Sequence, residues 1–202
     1  MTYTGRTLGV GLMKGKPFAF YLLCSRSFPR RRAIVRGNAV YIENLTETDN
    51  PYVSYPVVRL LSEYAVITNG LQTDFIAQAL EWESPKKALI HVLDALDYER
   101  DEYSTPRIAG IIGTGGKGWL GFAGKDEFWV RELELREGKA FVTATYNLGF
   151  TELEFPAFES AEELARKALE LPFEKKVLAI GIVKDNVWSV GTANLFIPSA
   201  ER

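Results

Sequence analysis

Apolar residues in this chain fall in short runs separated by turn residues, a spacing that favours strands over long helices. Thr7–Leu12 and Phe18–Leu23 read as two strands around Lys14-Gly15-Lys16-Pro17, a hairpin. Ala33–Arg36 and Ala39–Glu43 flank Gly37-Asn38, a dipeptide suited to the positive φ of a tight turn. A polar loop, Asn44–Tyr55, precedes two more strands, Val57–Leu61 and Tyr64–Thr68, which end at Asn69-Gly70. The period then changes. Phe75, Ile76, Ala79 and Leu80 have helical spacing behind a cap at Thr73 or Asp74, predicting a helix to about Trp82. Ser84-Pro85 opens a second helix, to about Tyr98, with Ala88, Leu89, Val92, Ala95 and Leu96 as its buried stripe.

Four further strands follow at Arg107–Ile112, Trp119–Ala123, Phe128–Glu134 and Ala140–Tyr146. Ser160 and Glu163 form a capping-box pattern that starts a third helix, to about Leu171. Lys176–Lys184 and Asn186–Leu195 close the chain as a hairpin. Hairpin-connected strands divided by blocks of helix predict an α+β fold with mainly antiparallel sheets. Runs such as VLAIGIV (177–183) are too continuous for a sheet with one wet face, so both sheets are expected to be covered, for example as two packed sheets with helices outside.

Composition narrows the function classes. The 202 residues suit one domain, 1–202, and 47% hydrophobic content with 12% aromatics is enough to build a core. With 24 basic and 26 acidic residues the net charge is -2, which gives no reason to expect nucleic-acid or membrane binding. One cysteine, Cys24, and one histidine, His91, exclude an internal disulfide and any metal site built on several His or Cys ligands. His91 reads as a surface or structural residue. No apolar run reaches the ~18 residues of a membrane span, and the N-terminus has no signal-peptide pattern, so a cytoplasmic protein is expected. A homo-oligomer is compatible with the sequence without being required by it.

Two loops hold most of the candidate chemistry. Asp97–Gly118 (DYERDEYSTPRIAGIIGTGGKG) carries four carboxylates, two tyrosines, Thr105 and Arg107 between a helix and a strand. Its tail, Gly113–Gly118, lacks the Gly-Lys-Ser/Thr and the following helix of a P-loop and reads as a turn between strands. The second loop clusters Arg26, Arg30, Arg31 and Arg32. Four neighbouring guanidiniums need anionic compensation, from carboxylates elsewhere in the fold or from a phosphate-bearing ligand. Glu102 and its neighbours are the obvious internal counter-charges. The two loops are expected to meet.

Five segments, SRSFPRRRA (25–33), NPYVSYPVVR (50–59), ITNGLQTD (67–74), DYERDEYSTPRIAG (97–110) and VWSVGTANLF (187–196), resemble archaeal inosine monophosphate (IMP) cyclohydrolase. The likeness covers essentially the whole chain. Arg30 stands where the family pattern has Asn, which leaves the role of that position open. The resemblance implies a four-layered αββα sandwich of the N-terminal-nucleophile hydrolase type, used without a terminal nucleophile. It also implies closure of 5-formamidoimidazole-4-carboxamide ribonucleotide (FAICAR) to IMP in a pocket between the sheets, without metal or other cofactor. Arg31 and Glu102 match its essential pair, with Arg31 donating to the formyl oxygen and Glu102 moving protons. Asp97, Glu99 and Asp101 are then read as structural.

Arg26, Asn69, Gly70, Thr73, Thr105 and Arg107 are candidate contacts to the ribose phosphate, and Tyr55 and Tyr103 to the base. Two other readings stay open. One is an amidohydrolase using Thr2 as a terminal nucleophile. The other is a purine nucleotide-binding protein without turnover.

Overall fold

A computed structural model describes residues 2–50 and 52–195; Met1, Pro51 and the end of the last family-like segment, within 196–202, lie outside the described residues. In chain order the elements are β1 (Arg6–Met13), β2 (Lys16–Cys24), β3 (Arg31–Arg36), β4 (Ala39–Asn44), β5 (Tyr55–Leu60), β6 (Tyr64–Thr68), α1 (Gln72–Ala79) and α2 (Pro85–Leu96). They continue with β7 (Arg107–Gly113), β8 (Lys117–Ala123), β9 (Phe128–Glu134), β10 (Lys139–Ala144), β11 (Thr151–Glu154), α3 (Ala161–Glu170), β12 (Lys176–Lys184) and β13 (Trp188–Asn194).

The strands form two sheets whose ladders are antiparallel, a six-stranded one ordered β11-β10-β1-β2-β12-β13 and a seven-stranded one ordered β3-β4-β5-β6-β7-β8-β9. Their facing sides share one apolar core that includes Leu8, Tyr21, Ile67, Ile108, Leu120 and Ile180. A second core packs α3 on the outer face of the first sheet, and a third packs α1 and α2 on the outer face of the second. This is why VLAIGIV is buried throughout: β12 has a sheet on one side and α3 on the other. The helix lies close because Gly181 and Gly191 face it; a β-carbon at either would overlap the backbone of Ala161 or Glu162.

Four local expectations change. Helix α1 starts at Gln72 behind Leu71 with no side-chain cap, because the Thr73 hydroxyl bonds the carbonyls of Pro56 and Gly70 instead. In α2 the buried stripe runs through Ala88, Leu89 and Leu93, while Ala95 is exposed, so the face is rotated relative to the expected one. Ser160 Oγ accepts from Glu163 N at 3.2 Å as a capping box requires, but Glu163 returns its bond to Glu159 N, one residue early. Strand β11, with one apolar residue in TELE, carries no sequence signal and forms by pairing with β10. Among the described residues no helix is long and apolar enough to cross a membrane.

Candidate active site

The loop between α2 and β7 sorts its carboxylates by geometry. Asp97 leaves the helix with φ 54° and turns the chain back on itself. Glu99 N then donates to Thr105 O at 2.8 Å, Thr105 N to Asp101 Oδ1 at 2.8 Å, and Ser104 N to Asp101 O at 3.1 Å. These bonds close the loop on itself. Glu99 at its base points inward and is 1% exposed, whereas Glu102 and Tyr103 at its tip are in solvent.

Glu99 lies between two cations, one from each sheet. Arg6, the first residue of β1, places Nη2 3.1 Å from Oε2, and Arg107, the first of β7, places Nη1 3.6 Å from Oε1. Burial nevertheless dominates and pushes the Glu99 carboxyl up to about 7, with Arg6 and Arg107 pulling it down and Asp101 adding to the rise. A carboxyl titrating there can take or give a proton near neutral pH.

Arg31 opens β3 and is 3% exposed. Its Nε donates to Phe28 O at 3.0 Å, and among the described residues no carboxylate stands within ion-pair distance of it. Burial lowers its pKa, while nearby Tyr55 and Tyr21 act to raise it. Those two tyrosines, one from each sheet, have their hydroxyls 2.7 Å apart and buried. A guanidinium so placed can donate to a ligand acceptor, such as a carbonyl oxygen gaining charge.

Arg31 and Glu99 line one narrow cavity of about 90 Å³, together with Arg6, Thr105, Tyr103 and Tyr146. It adjoins a wider vestibule of about 540 Å³, lined by Tyr3, Arg26, Tyr103, Tyr146 and Asn147. On the cavity wall, Thr105 Oγ1 is 2.6 Å from Asp101 Oδ2 and 2.7 Å from the Tyr146 hydroxyl. Thr105 donates to the Asp101 carboxyl, so Tyr146 donates to Thr105. The lone pairs of Tyr146 are left to accept from a ligand.

The two loops therefore meet, but not through every expected residue. Arg31, Tyr103 and Thr105 are in the cavity and Arg26 in the vestibule, its guanidinium 4.2 Å above the Tyr3 ring. Glu102 is not brought to Arg31: it is exposed, and the carboxylate that reaches the cavity floor is Glu99. Tyr55 is buried against Tyr21 rather than lining the cavity. Asn69, Gly70, Thr73 and Arg107 lie behind Glu99, where their hydrogen bonds go to Gln72, to Thr68 and to neighbouring backbone. Arg32 is compensated by Glu43 at 2.6 Å, outside the site.

Of the residues that line the cavity, Arg6 and Tyr146 carried no sequence expectation, while Glu99 and Asp101 were read from sequence as structural. Arg6 carried one available signal, a charge at the head of an otherwise buried strand. Thr2, the nucleophile of the amidohydrolase reading, is exposed and tied by its backbone to Phe173 and Glu174, outside the cavity. His91 pairs with Glu83 on the surface, and within Gly113–Gly118 the residues Thr114–Gly116 form the turn between β7 and β8. Among the described residues no group of His, Cys, Asp and Glu is arranged to hold a metal.

A family model described as "IMP cyclohydrolase-like protein" matches residues 3–187. An "IMP cyclohydrolase" of Thermococcus kodakarensis is 74% identical over 187 residues, covering 92% of this chain and 94% of that protein. Proteins of the same name from Methanothrix thermoacetophila and Methanocella arvoryzae are 40% and 37% identical, over 87% and 95% of this chain and 89% and 98% of their own lengths.

Proposed function

The chain belongs to the IMP cyclohydrolase family, and we propose that the cavity shared by Arg31 and Glu99 is where it closes FAICAR to IMP. This is the last step of de novo purine synthesis, an intramolecular condensation that releases water. The carboxamide nitrogen is a weak nucleophile and the formamide carbon a weak electrophile, but both sit on one imidazole. The protein's task is to hold the reactive rotamer and move protons.

Arg31 donates to the formyl oxygen and stabilises the charge that develops there as nitrogen attacks. A preorganised donor of this kind is typically worth ~2.7–4 kcal/mol. Glu99, in place of Glu102, takes a proton from the attacking nitrogen and passes it to that oxygen, giving a cyclic hydroxyl intermediate. Loss of the hydroxyl with the formamide N–H proton then forms water and the C=N bond. The observation that carries the reading is the buried placement of Arg31 and Glu99 on one cavity, with Glu99 poised near 7.

The ribose phosphate belongs in the vestibule, toward Arg26. The helix–sheet–sheet–helix order supports the N-terminal-nucleophile hydrolase type of architecture, used here without a nucleophile at Thr2. A cytoplasmic location is part of the same reading, and the near-balanced charge supports a protein with no nucleic-acid partner. The test is to incubate the protein with FAICAR and follow IMP by its ultraviolet spectrum. Acceleration over spontaneous closure supports turnover; tight product binding without acceleration would mean a binding protein instead.

A further inference from the structure

Behind Glu99 lies a polar network of Gln72, Asn69 and Arg107, none of which lines the cavity itself. Gln72, fully buried in the first turn of α1, accepts from Arg107 Nη1 at Oε1 (3.0 Å) and donates from Nε2 to Asn69 Oδ1 (2.7 Å). The direction of every bond is fixed by its far end. Pro106 O can only accept, so Asn69 presents Nδ2 to it at 2.9 Å, which leaves Asn69 Oδ1 facing the other way. That oxygen already accepts from Ile108 N at 2.9 Å, so Gln72 must meet it with its NH₂ and turn its carbonyl to Arg107. Arg107 Nε is buried without a partner, so Nη1, shared between Gln72 and Glu99, is what locates this guanidinium.

Gly70 completes the arrangement. A β-carbon there would stand 2.7 Å from Gln72 Oε1 and 3.3 Å from both Arg107 Nη1 and Glu99 Oε1. One added methyl group would press on the same three atoms that the network aligns.

We infer that Gln72 is a positioning residue for ring closure, holding Arg107 against Glu99, and that Gly70 leaves the space in which it does so. The inference rests on the assignment of Glu99 as the proton-transfer group. The groups that face Glu99 are Arg6 from β1, Arg107 from β7 and Asp101 from its own loop. Of these, Gln72 touches only Arg107. Loosening Arg107 removes one of two charges that favour the ionised carboxyl, so Glu99 titrates higher and the rising limb of activity moves to higher pH.

The test is the pH–rate profile of ring closure for Gln72→Met, Gly70→Ala and, as control, Gln78→Met at an exposed site on the same helix. Thermal unfolding of each checks the fold. A limb shifted up by about one unit lowers the rate about tenfold at pH 6 and less than about threefold at pH 9. That pattern is expected for Gln72→Met and Gly70→Ala and not for the control. Folded variants that keep the wild-type limb, or lose rate equally at every pH, overturn the positioning role. If Gln72→Met does not fold, Gly70→Ala decides, since it retains every hydrogen-bonding group. If Glu99→Gln keeps wild-type turnover, the assignment of Glu99 fails as well. If it is inactive while both limbs stay in place, only the role of Gln72 falls.

Discussion

Arg6 Nη2 stands 3.1 Å from Glu99 Oε2 across 93 positions of chain, joining the head of one sheet to the loop that enters the other. The bond places a carboxylate at the floor of a cavity whose other charged wall is Arg31. It also explains why the site lies where the two sheets meet: neither sheet holds all of its charges.

The elevated Glu99 pKa has a consequence for stability. The folded carboxyl titrates near 7 against an ordinary 4.5, so between those values the folded state binds more protons than the unfolded one. Its stabilising contribution is full below about 4.5 and is lost as pH rises toward about 7, a change on the order of 3 kcal/mol. Urea unfolding of wild type and Glu99→Gln at pH 5 and pH 7.5 measures it. Relative to wild type, the variant should gain stability at the higher pH.

Tyr146 donates inward to Thr105, so its lone pairs can accept from a substrate in the cavity it lines. Tyr146→Phe should raise KM about three- to tenfold with a smaller change in kcat, as expected for one lost hydrogen bond of about 0.5–1.5 kcal/mol. Steady-state kinetics give both numbers, and an unchanged KM would remove Tyr146 from the contacts.

Arg26, exposed at the vestibule above Tyr3, is placed to meet a phosphate. KM should therefore rise with ionic strength while kcat changes less. Arg26→Ala should raise KM at low salt and flatten that dependence; equal slopes in the two proteins would put the phosphate elsewhere.

Much of this architecture was legible in the sequence. Continuous apolar runs gave the doubly covered sheets, and Arg31 was singled out because it stands in a family-like Arg-rich segment. The carboxylate was not legible, because spacing does not say which of Asp97, Glu99, Asp101 and Glu102 faces inward. That choice depends on the φ of Asp97 and on the bonds Asp101 makes to Thr105 and Ser104, which bury Glu99 and leave Glu102 outside. Asn69, Gly70 and Thr73 were expected at the substrate because they sit at an element end. Burial turns them toward Gln72, Pro106 and Pro56 instead.

The packing of α3 makes a separate claim. Gly181→Ala puts a methyl group into the backbone of Ala161, which cannot yield as a side-chain tip would. A loss of about 1–3 kcal/mol is expected, typical of overpacking, with kcat of the folded protein nearly unchanged. Urea denaturation beside a turnover assay separates the two effects.

The central claim is that Glu99 moves the protons opposite Arg31. Its most direct measurement is kcat for FAICAR closure by Glu99→Gln and Glu102→Gln, both checked for folding. Glu99→Gln should lower kcat by about 10²–10⁴-fold, the usual worth of a general acid–base, and Glu102→Gln by less than about threefold. Full activity in Glu99→Gln, with loss in Glu102→Gln, would contradict the account.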